Sequence, residues 1–294
     1  MNVLMIFLDG VGMGSDDPEV NPFSRFELPC LDELLSEPEA DSNRLLRHLD
    51  ANLGVDGLPQ SGTGQATLFT GRNCARIVGR HFGPFPHSAT KETLAEQNIF
   101  VRVNRVVDDH ARGAAFANAY PPPFFKMVER NDRWTVTTRC CLDARIQIRN
   151  LEDLAEGNAL AADITGARLS LAGFPVEPVT EETAARALAS LAAGYRFTLF
   201  EYFLTDKAGH SRSFEKAEEV LRSLDRFLEA LLQREPTHTT IVVTSDHGNL
   251  EDLSTRSHTR NPVPLIAVGH GAAAFQATES LTDVTPAIIG VLQG

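Results

Sequence analysis

The chain has 294 residues, room for one large domain or two modest ones, and its 43% hydrophobic and 22% charged residues exclude a disordered, collagen-like or fibrous protein. Its 39 acidic against 27 basic residues give a formal charge of -12, which repels polyanions and argues against nucleic-acid or anionic-membrane binding as the main task. Small phosphorylated substrates stay open, because a local cluster of cations can reverse the field inside one pocket.

The first apolar run, Val3 to Leu8, lacks a basic segment before it and ends at Asp9-Gly10, so it predicts a β-strand and not a signal peptide. No stretch approaches the roughly 18 to 20 consecutive apolar residues of a membrane span. Cys30, Cys74, Cys140 and Cys141 form no CxxC pair, which predicts reduced thiols in a cytoplasmic enzyme.

The segment from Gln60 to Gly71 carries glycines at 62, 64 and 71 and hydroxyls at Ser61, Thr63, Thr67 and Thr70. Leading into a helix, it can present backbone N–H groups to an anion, or it is a turn with capping hydroxyls. It lacks the Gly-Lys-Ser/Thr ending of a P-loop, which speaks against an NTPase. A helix near Lys91 to Gln97 and a strand near Ala114 to Ala119 follow.

From Tyr120 to about Pro178 the pattern alternates poorly. It predicts an irregular insertion packed on the sheet edge, with a small lid over the active crevice as the second reading. Beyond it, Thr180 to Ala193 predicts a helix, with Thr-Glu-Glu at its start as a capping signal. The run Phe197 to Leu204 predicts a strand ending at Thr205-Asp206. Phe214 to Arg234 places Val220, Leu221, Leu224, Phe227, Leu228, Leu231 and Leu232 on one helical face. Ile241 to Thr244 predicts a third strand, ending at Ser245-Asp246-His247.

Near-continuous apolar strands suit a parallel sheet covered by helices on both faces, whose ligands bind beyond the carboxyl ends of the strands. Asp9, Asp206, His210, Asp246 and His247 all follow such ends, and His258 lies on a following loop. Together they supply enough ligands for two divalent cations. In a helical turn the i, i+4 pair Asp206 and His210 shares one face. Asp246 and His247 either bind one ion on a tight turn at Gly248 or divide between two. Carboxylate with neutral imidazole suits Mn or Zn in either case.

Phe7-Leu-Asp-Gly-Val-Gly12, the Ser61 to Gly71 segment, Thr205-Asp-Lys-Ala-Gly-His210, Ser245-Asp-His-Gly-Asn249 and His258-Thr-Arg-Asn-Pro-Val-Pro-Leu265 resemble the metal-site motifs of the alkaline phosphatase superfamily. They are most similar to those of cofactor-independent phosphoglycerate mutase and phosphopentomutase. The resemblance implies a three-layer α/β/α sandwich with a largely parallel sheet and a small insertion, spanning residues 1–294 as one unit. It implies Asp206, His210 and His258 as ligands of one metal, and Asp9, Asp246, His247 and the nucleophile hydroxyl as ligands of the other.

By the same resemblance Ser61 is the nucleophile, ten positions before Gly71, with Thr63 as the second choice. Lys207 is similar to a phosphate-site lysine of some bacterial alkaline phosphatases. The chain departs from the mutases, whose nucleophile sits in Asn-Ser-Glu-Val-Gly-His where this chain has Gln60-Ser-Gly-Thr-Gly-Gln65. It also lacks the Pro-Ser-Arg or Pro-Ala-Arg that follows the sulfatase nucleophile. The expected activity is therefore hydrolysis of a small phosphomonoester through phosphoserine. A phosphomutase is second, a phosphodiesterase third, and a non-catalytic metal-binding relative last.

Overall fold

The computed structural model describes residues 1–39, 42–107, 112–234 and 238–294. Six strands, β1 (Asn2–Leu8), β2 (Arg44–Leu49), β3 (Ala114–Phe116), β4 (Phe197–Tyr202), β5 (Thr239–Ser245) and β6 (Val263–Val268), form one sheet in the order β2-β6-β5-β1-β4-β3. The pairs β5/β1, β1/β4 and β4/β3 are parallel, and β6 alone runs against both of its neighbours.

Helices fill the connections. Helices α1 (Pro22–Arg25) and α2 (Pro29–Leu35) follow β1, and α3 (Ser61–Thr70), α4 (Cys74–Val78), α5 (Lys91–Gln97) and α6 (Ile99–Val106) lie between β2 and β3. Between β3 and β4 run α7 (Pro122–Asn131), α8 (Val136–Ala144), α9 (Leu151–Ala155), α10 (Ala167–Leu171) and α11 (Glu181–Gly194). Helices α12 (Leu204–Ser211) and α13 (Phe214–Leu232) join β4 to β5, and α14 (Leu281–Gln293) closes the chain.

The apolar strands show why the sandwich has three layers. Successive side chains of a strand point to opposite faces, and in β1 Val3, Met5 and Phe7 enter one core while Leu4, Ile6 and Leu8 enter another. The first core is covered by α3, α5, α6, α8 and α14, the second by α2, α11, α12 and α13. A strand buried on both faces has no room for the polar alternation of a solvated sheet.

The long stretch after Tyr120 differs from the expected irregular insertion. It holds four helices, and Val136, Cys140 and Cys141 of α8 are buried in the first core. Short helices separated by turns give no sustained periodicity, which is why the pattern reads as irregular. All four cysteines are buried and free, and burial raises each thiol above its ordinary value. No helix among the described residues is long and apolar enough to cross a membrane.

Register positions the site. Leu8 pairs with Tyr202 of β4 and with Ser245 of β5, so three adjacent parallel strands end side by side. The predicted strand from Phe197 to Leu204 stops at Tyr202 and turns directly into α12. The Thr205 hydroxyl lies within reach of two carbonyl acceptors, Asp9 O at 2.6 Å and Tyr202 O at 3.0 Å, and ties the start of α12 to the loop after β1.

Candidate metal centre

Asp9, Asp206 and Asp246 leave the ends of β1, β4 and β5 toward one another. Gly10 lets the first of these loops pass: its φ is +71°, and a Cβ there would lie 2.7 Å from Asp206 Oδ1. Both features favour glycine. On α12 the helical spacing brings His210 Nε2 to 3.4 Å from Asp206 Oδ2. His258, on the loop before β6, places its Nε2 3.2 Å from His210 Nε2 and 3.7 Å from Asp206 Oδ1.

His247 lies between the two groups. Its Nε2 is 3.3 Å from Asp9 Oδ1 and 3.6 Å from Asp246 Oδ2, and its ring stacks on that of His258 with centroids 3.8 Å apart. Two triads have donor atoms that lie within 4.8 Å of one another: Asp206, His247 and His258, and Asp9, Asp246 and His247.

Two observations test whether these residues suit cations. Asp9 Oδ1 and Asp246 Oδ2 are buried without a hydrogen-bond partner, a costly arrangement for carboxylates unless a positive charge sits beside them. In addition, each histidine directs Nδ1 at a backbone carbonyl: His247 at Gly248 (3.4 Å), His210 at Arg256 (3.2 Å) and His258 at Pro59 (2.7 Å). A carbonyl only accepts, so Nδ1 carries the proton and Nε2 turns inward, the arrangement of metal-ligating imidazoles. The donor set suits divalent cations.

The charges say the same. Burial raises the carboxyl groups of Asp9 and Asp246, and repulsion from neighbouring aspartates adds to it. Burial works against a proton on His247, but Asp246 and Asp9 outweigh it and raise that imidazole to about 10. Burial and the neighbouring His247 push His258 down to about 4. Asp9 and Asp246 thus resist ionisation unless a cation sits beside them.

Ser61 is the first residue of α3, and its Oγ lies 2.9 Å from His247 Nε2. Glycines 62 and 64 are required by packing. A Cβ on Gly62 would overlap the Phe85 carbonyl and lie 2.7 Å from that of Phe82, and one on Gly64 would lie 2.9 Å from Asp246 O. The remaining hydroxyls serve the fold. Thr67 and Thr70 donate to Thr63 O and Ala66 O within α3. Thr63 is fully buried, donates to Gln60 O (3.3 Å) and accepts from the Phe82 amide (3.1 Å).

A cleft of about 420 Å³ opens over the centre, lined by Gln60, Ser61, Asp206, His210, Arg256 and His258 among others. Lys207, the sequence-suggested phosphate contact, is not in its lining; its Nζ rests 4.4 Å above the Phe203 ring. Burial lowers the Lys207 amine, with Arg168 adding to the effect.

Two residues escaped the reading by motif. Arg256, an exposed residue, lines the cleft and offers its carbonyl to His210 Nδ1, and its only signal was a position two before His258. Glu201, buried at the end of β4, has an unpartnered Oε2, and burial with the nearby Asp9 raises its carboxyl to about 8. An acid inside the apolar run Phe197 to Leu204 was its signal.

A helix-covered sheet whose strand ends gather carboxylates, imidazoles and a serine hydroxyl is the framework of an α/β metalloenzyme. The family model described as the Metalloenzyme superfamily matches residues 1–293, and the chain belongs to that family. A 2,3-bisphosphoglycerate-independent phosphoglycerate mutase from Dinoroseobacter shibae is 32% identical over 124 residues, 40% of this chain and 25% of the mutase. The match thus spans about a quarter of that relative's length.

Among solved structures, the cold-active alkaline phosphatase from a psychrophilic Shewanella sp. aligns with a TM-score of 0.58 at 13% identity, covering 99% of this chain and 100% of that one. The Leishmania mexicana phosphoglycerate mutase aligns with a TM-score of 0.52 at 11% identity, covering 99% and 95%. At these identities the likeness is one of fold, and the fold is alkaline phosphatase-like.

Proposed function

We propose that residues 1–294 act as one cytoplasmic, metal-dependent phosphoryl-transfer unit that hydrolyses a small phosphomonoester through a phosphoserine on Ser61. The observation that carries this reading is the position of the Ser61 hydroxyl, 2.9 Å from His247 Nε2 and on the wall of a cleft that Asp206, His210 and His258 also line.

Asp206, His210 and His258 would hold one divalent ion, and Asp9, Asp246 and His247 the other together with Ser61. Two such ions, Mn or Zn, supply Lewis-acid stabilisation of the anionic oxygens on both sides of an in-line displacement. Ser61 Oγ gives up its proton to solvent as it attacks phosphorus, the bond to the leaving alkoxide or phenoxide breaks, and the departing oxygen takes a proton from solvent in exchange. Water then attacks the phosphoserine, returning the Ser61 hydroxyl and releasing inorganic phosphate. Rooted at the start of a fully buried helix, Ser61 is held in place for attack.

Hydrolysis is favoured over intramolecular transfer by what surrounds the cleft. A mutase must retain its dephosphorylated intermediate and exclude water. No residue between 120 and 178 lines this cleft, which leaves it open to solvent. The matched mutase keeps the second reading in place. Turnover of 4-nitrophenyl phosphate and of phosphoglycerate by Mn-loaded protein in ¹⁸O-water separates them. Label in released phosphate supports a hydrolase, and an isomerised phosphoester without label supports a mutase. Bound metal with neither reaction on these or a wider panel of phosphomonoesters overturns the proposal.

A further inference from the structure

Glu251 is almost fully buried, three residues past Gly248, and belongs to neither ligand group. Its Oε2 accepts from the amides of Gly12 (2.9 Å) and Asn249 (2.8 Å). Its Oε1 accepts from the Thr259 hydroxyl and from Asn261 Nδ2 (3.1 Å). Each partner sits on a loop that carries a ligand: Gly12 follows Asp9, Asn249 follows Asp246 and His247, and Thr259 follows His258. The fourth element joins through Asn249, whose Nδ2 donates to Asp206 Oδ1 (2.6 Å) and Asp206 O (3.1 Å).

The surrounding glycines are shaped to this carboxylate. A Cβ on Gly12 or on Gly248 would overlap Glu251 Oε1, and one on Gly14 would lie 2.8 Å from Glu251 O. On α12, a Cβ at Gly209 would lie 2.7 Å from Asn249 Cγ. None of these four has a positive φ that would call for glycine by itself. Their common property is the room they leave for Glu251 and Asn249.

We infer that Glu251 is a positioning residue that locks the three ligand-bearing loops, and α12 through Asn249, into the spacing two cations require. The inference rests on the metal centre of the proposed function but not on the reaction it performs. A carboxylate suits this place because its two oxygens face four donors. Glutamine supplies one oxygen and one NH₂ group. Two backbone amides cannot become acceptors, so the glutamine oxygen stays with Gly12 and Asn249, and its NH₂ turns toward Thr259 and Asn261. The tie to the His258 loop is the one that weakens.

The test is calorimetric titration of Mn into metal-stripped wild type, Glu251→Gln and Thr259→Val, with melting of the stripped proteins in parallel. Loss of outer-shell support costs about 10- to 100-fold in metal affinity, and E251Q should show that loss. T259V, which removes one of the four donors and keeps the side-chain shape, should show a smaller loss in the same direction. A merely structural role would lower the melting temperature of stripped E251Q and leave the Mn affinity of the folded protein unchanged, which overturns the inference. If E251Q does not fold, T259V decides, and wild-type affinity in T259V overturns it. Wild type that binds Mn without transferring phosphate defeats the proposed function alone. Wild type that binds neither Mn nor Zn defeats both.

Discussion

Ser61 Oγ lies 2.9 Å from His247 Nε2, and the same nitrogen lies 3.3 Å from Asp9 Oδ1. The hydroxyl therefore sits where an ion bound by Asp9, Asp246 and His247 would meet it. Ser61→Ala should bind metal through the six other ligands yet lower kcat by about 10³-fold or more, because a covalent route has no substitute oxygen. Acid quenching followed by peptide mass spectrometry should place phosphate on Ser61 in the wild type. Thr63→Ala should retain the phosphoenzyme, since the Thr63 hydroxyl is spent on Gln60 O and the Phe82 amide. Phosphate found on Thr63 would contradict the assignment.

Chelation should abolish activity, and Mn or Zn should restore it. The melting temperature should move as well, because the buried oxygens of Asp9 and Asp246 that lack a hydrogen-bond partner gain ligation in the loaded protein. Metal at about 100 times its dissociation constant stabilises by about 2.7 kcal/mol per site. A chelated protein, shown metal-free by elemental analysis, that melts and turns over like the loaded one would refute this.

Glu201 gives the stripped protein a pH dependence of known sign. Burial first, and then Asp9, raises its carboxyl from 4.5 to about 8. The folded chain therefore keeps a proton that the unfolded chain has lost between those values. Stability from this group falls as pH rises from about 4.5 to about 8, by on the order of a few kcal/mol, and is level above that. Glu201→Gln mimics the protonated form. Thermal melts under chelation should show the variant equal to wild type near pH 4.5 and more stable at pH 9. Parallel curves across the range would remove Glu201 as the cause.

Arg256 and Lys207 make a paired test of which cation meets the substrate. Arg256 lines the cleft with Ser61, whereas Lys207 rests on Phe203. Arg256→Ala should raise KM about 10-fold or more for a phosphomonoester, a charge-assisted contact being worth roughly 1.5–3 kcal/mol. Lys207→Ala should change KM by less than about 3-fold. The reverse ranking in steady-state kinetics would reinstate Lys207.

The chain alone determined the sandwich and the direction of its chemistry. Val3 to Leu8, Phe197 to Tyr202 and Thr239 to Ser245 are apolar enough to be buried on both faces, and such strands belong to parallel sheets that place their ligands at one edge. The Asp206 to His210 spacing likewise predicted a shared helical face, because 3.6 residues per turn is a local property.

What lies across the chain was decided only by tertiary structure. Thr63, Thr67 and Thr70 read like Ser61 in sequence, but the 82–85 loop and the interior of α3 consume their hydroxyls and leave Ser61 facing the cleft. Lys207 adjoins a ligand in sequence, yet one residue is 100° of helix rotation, enough to carry it onto Phe203. Glu251 gathers partners up to 239 positions away. No local pattern announces such a carboxylate, since its worth depends on donors that only the closed sheet brings together.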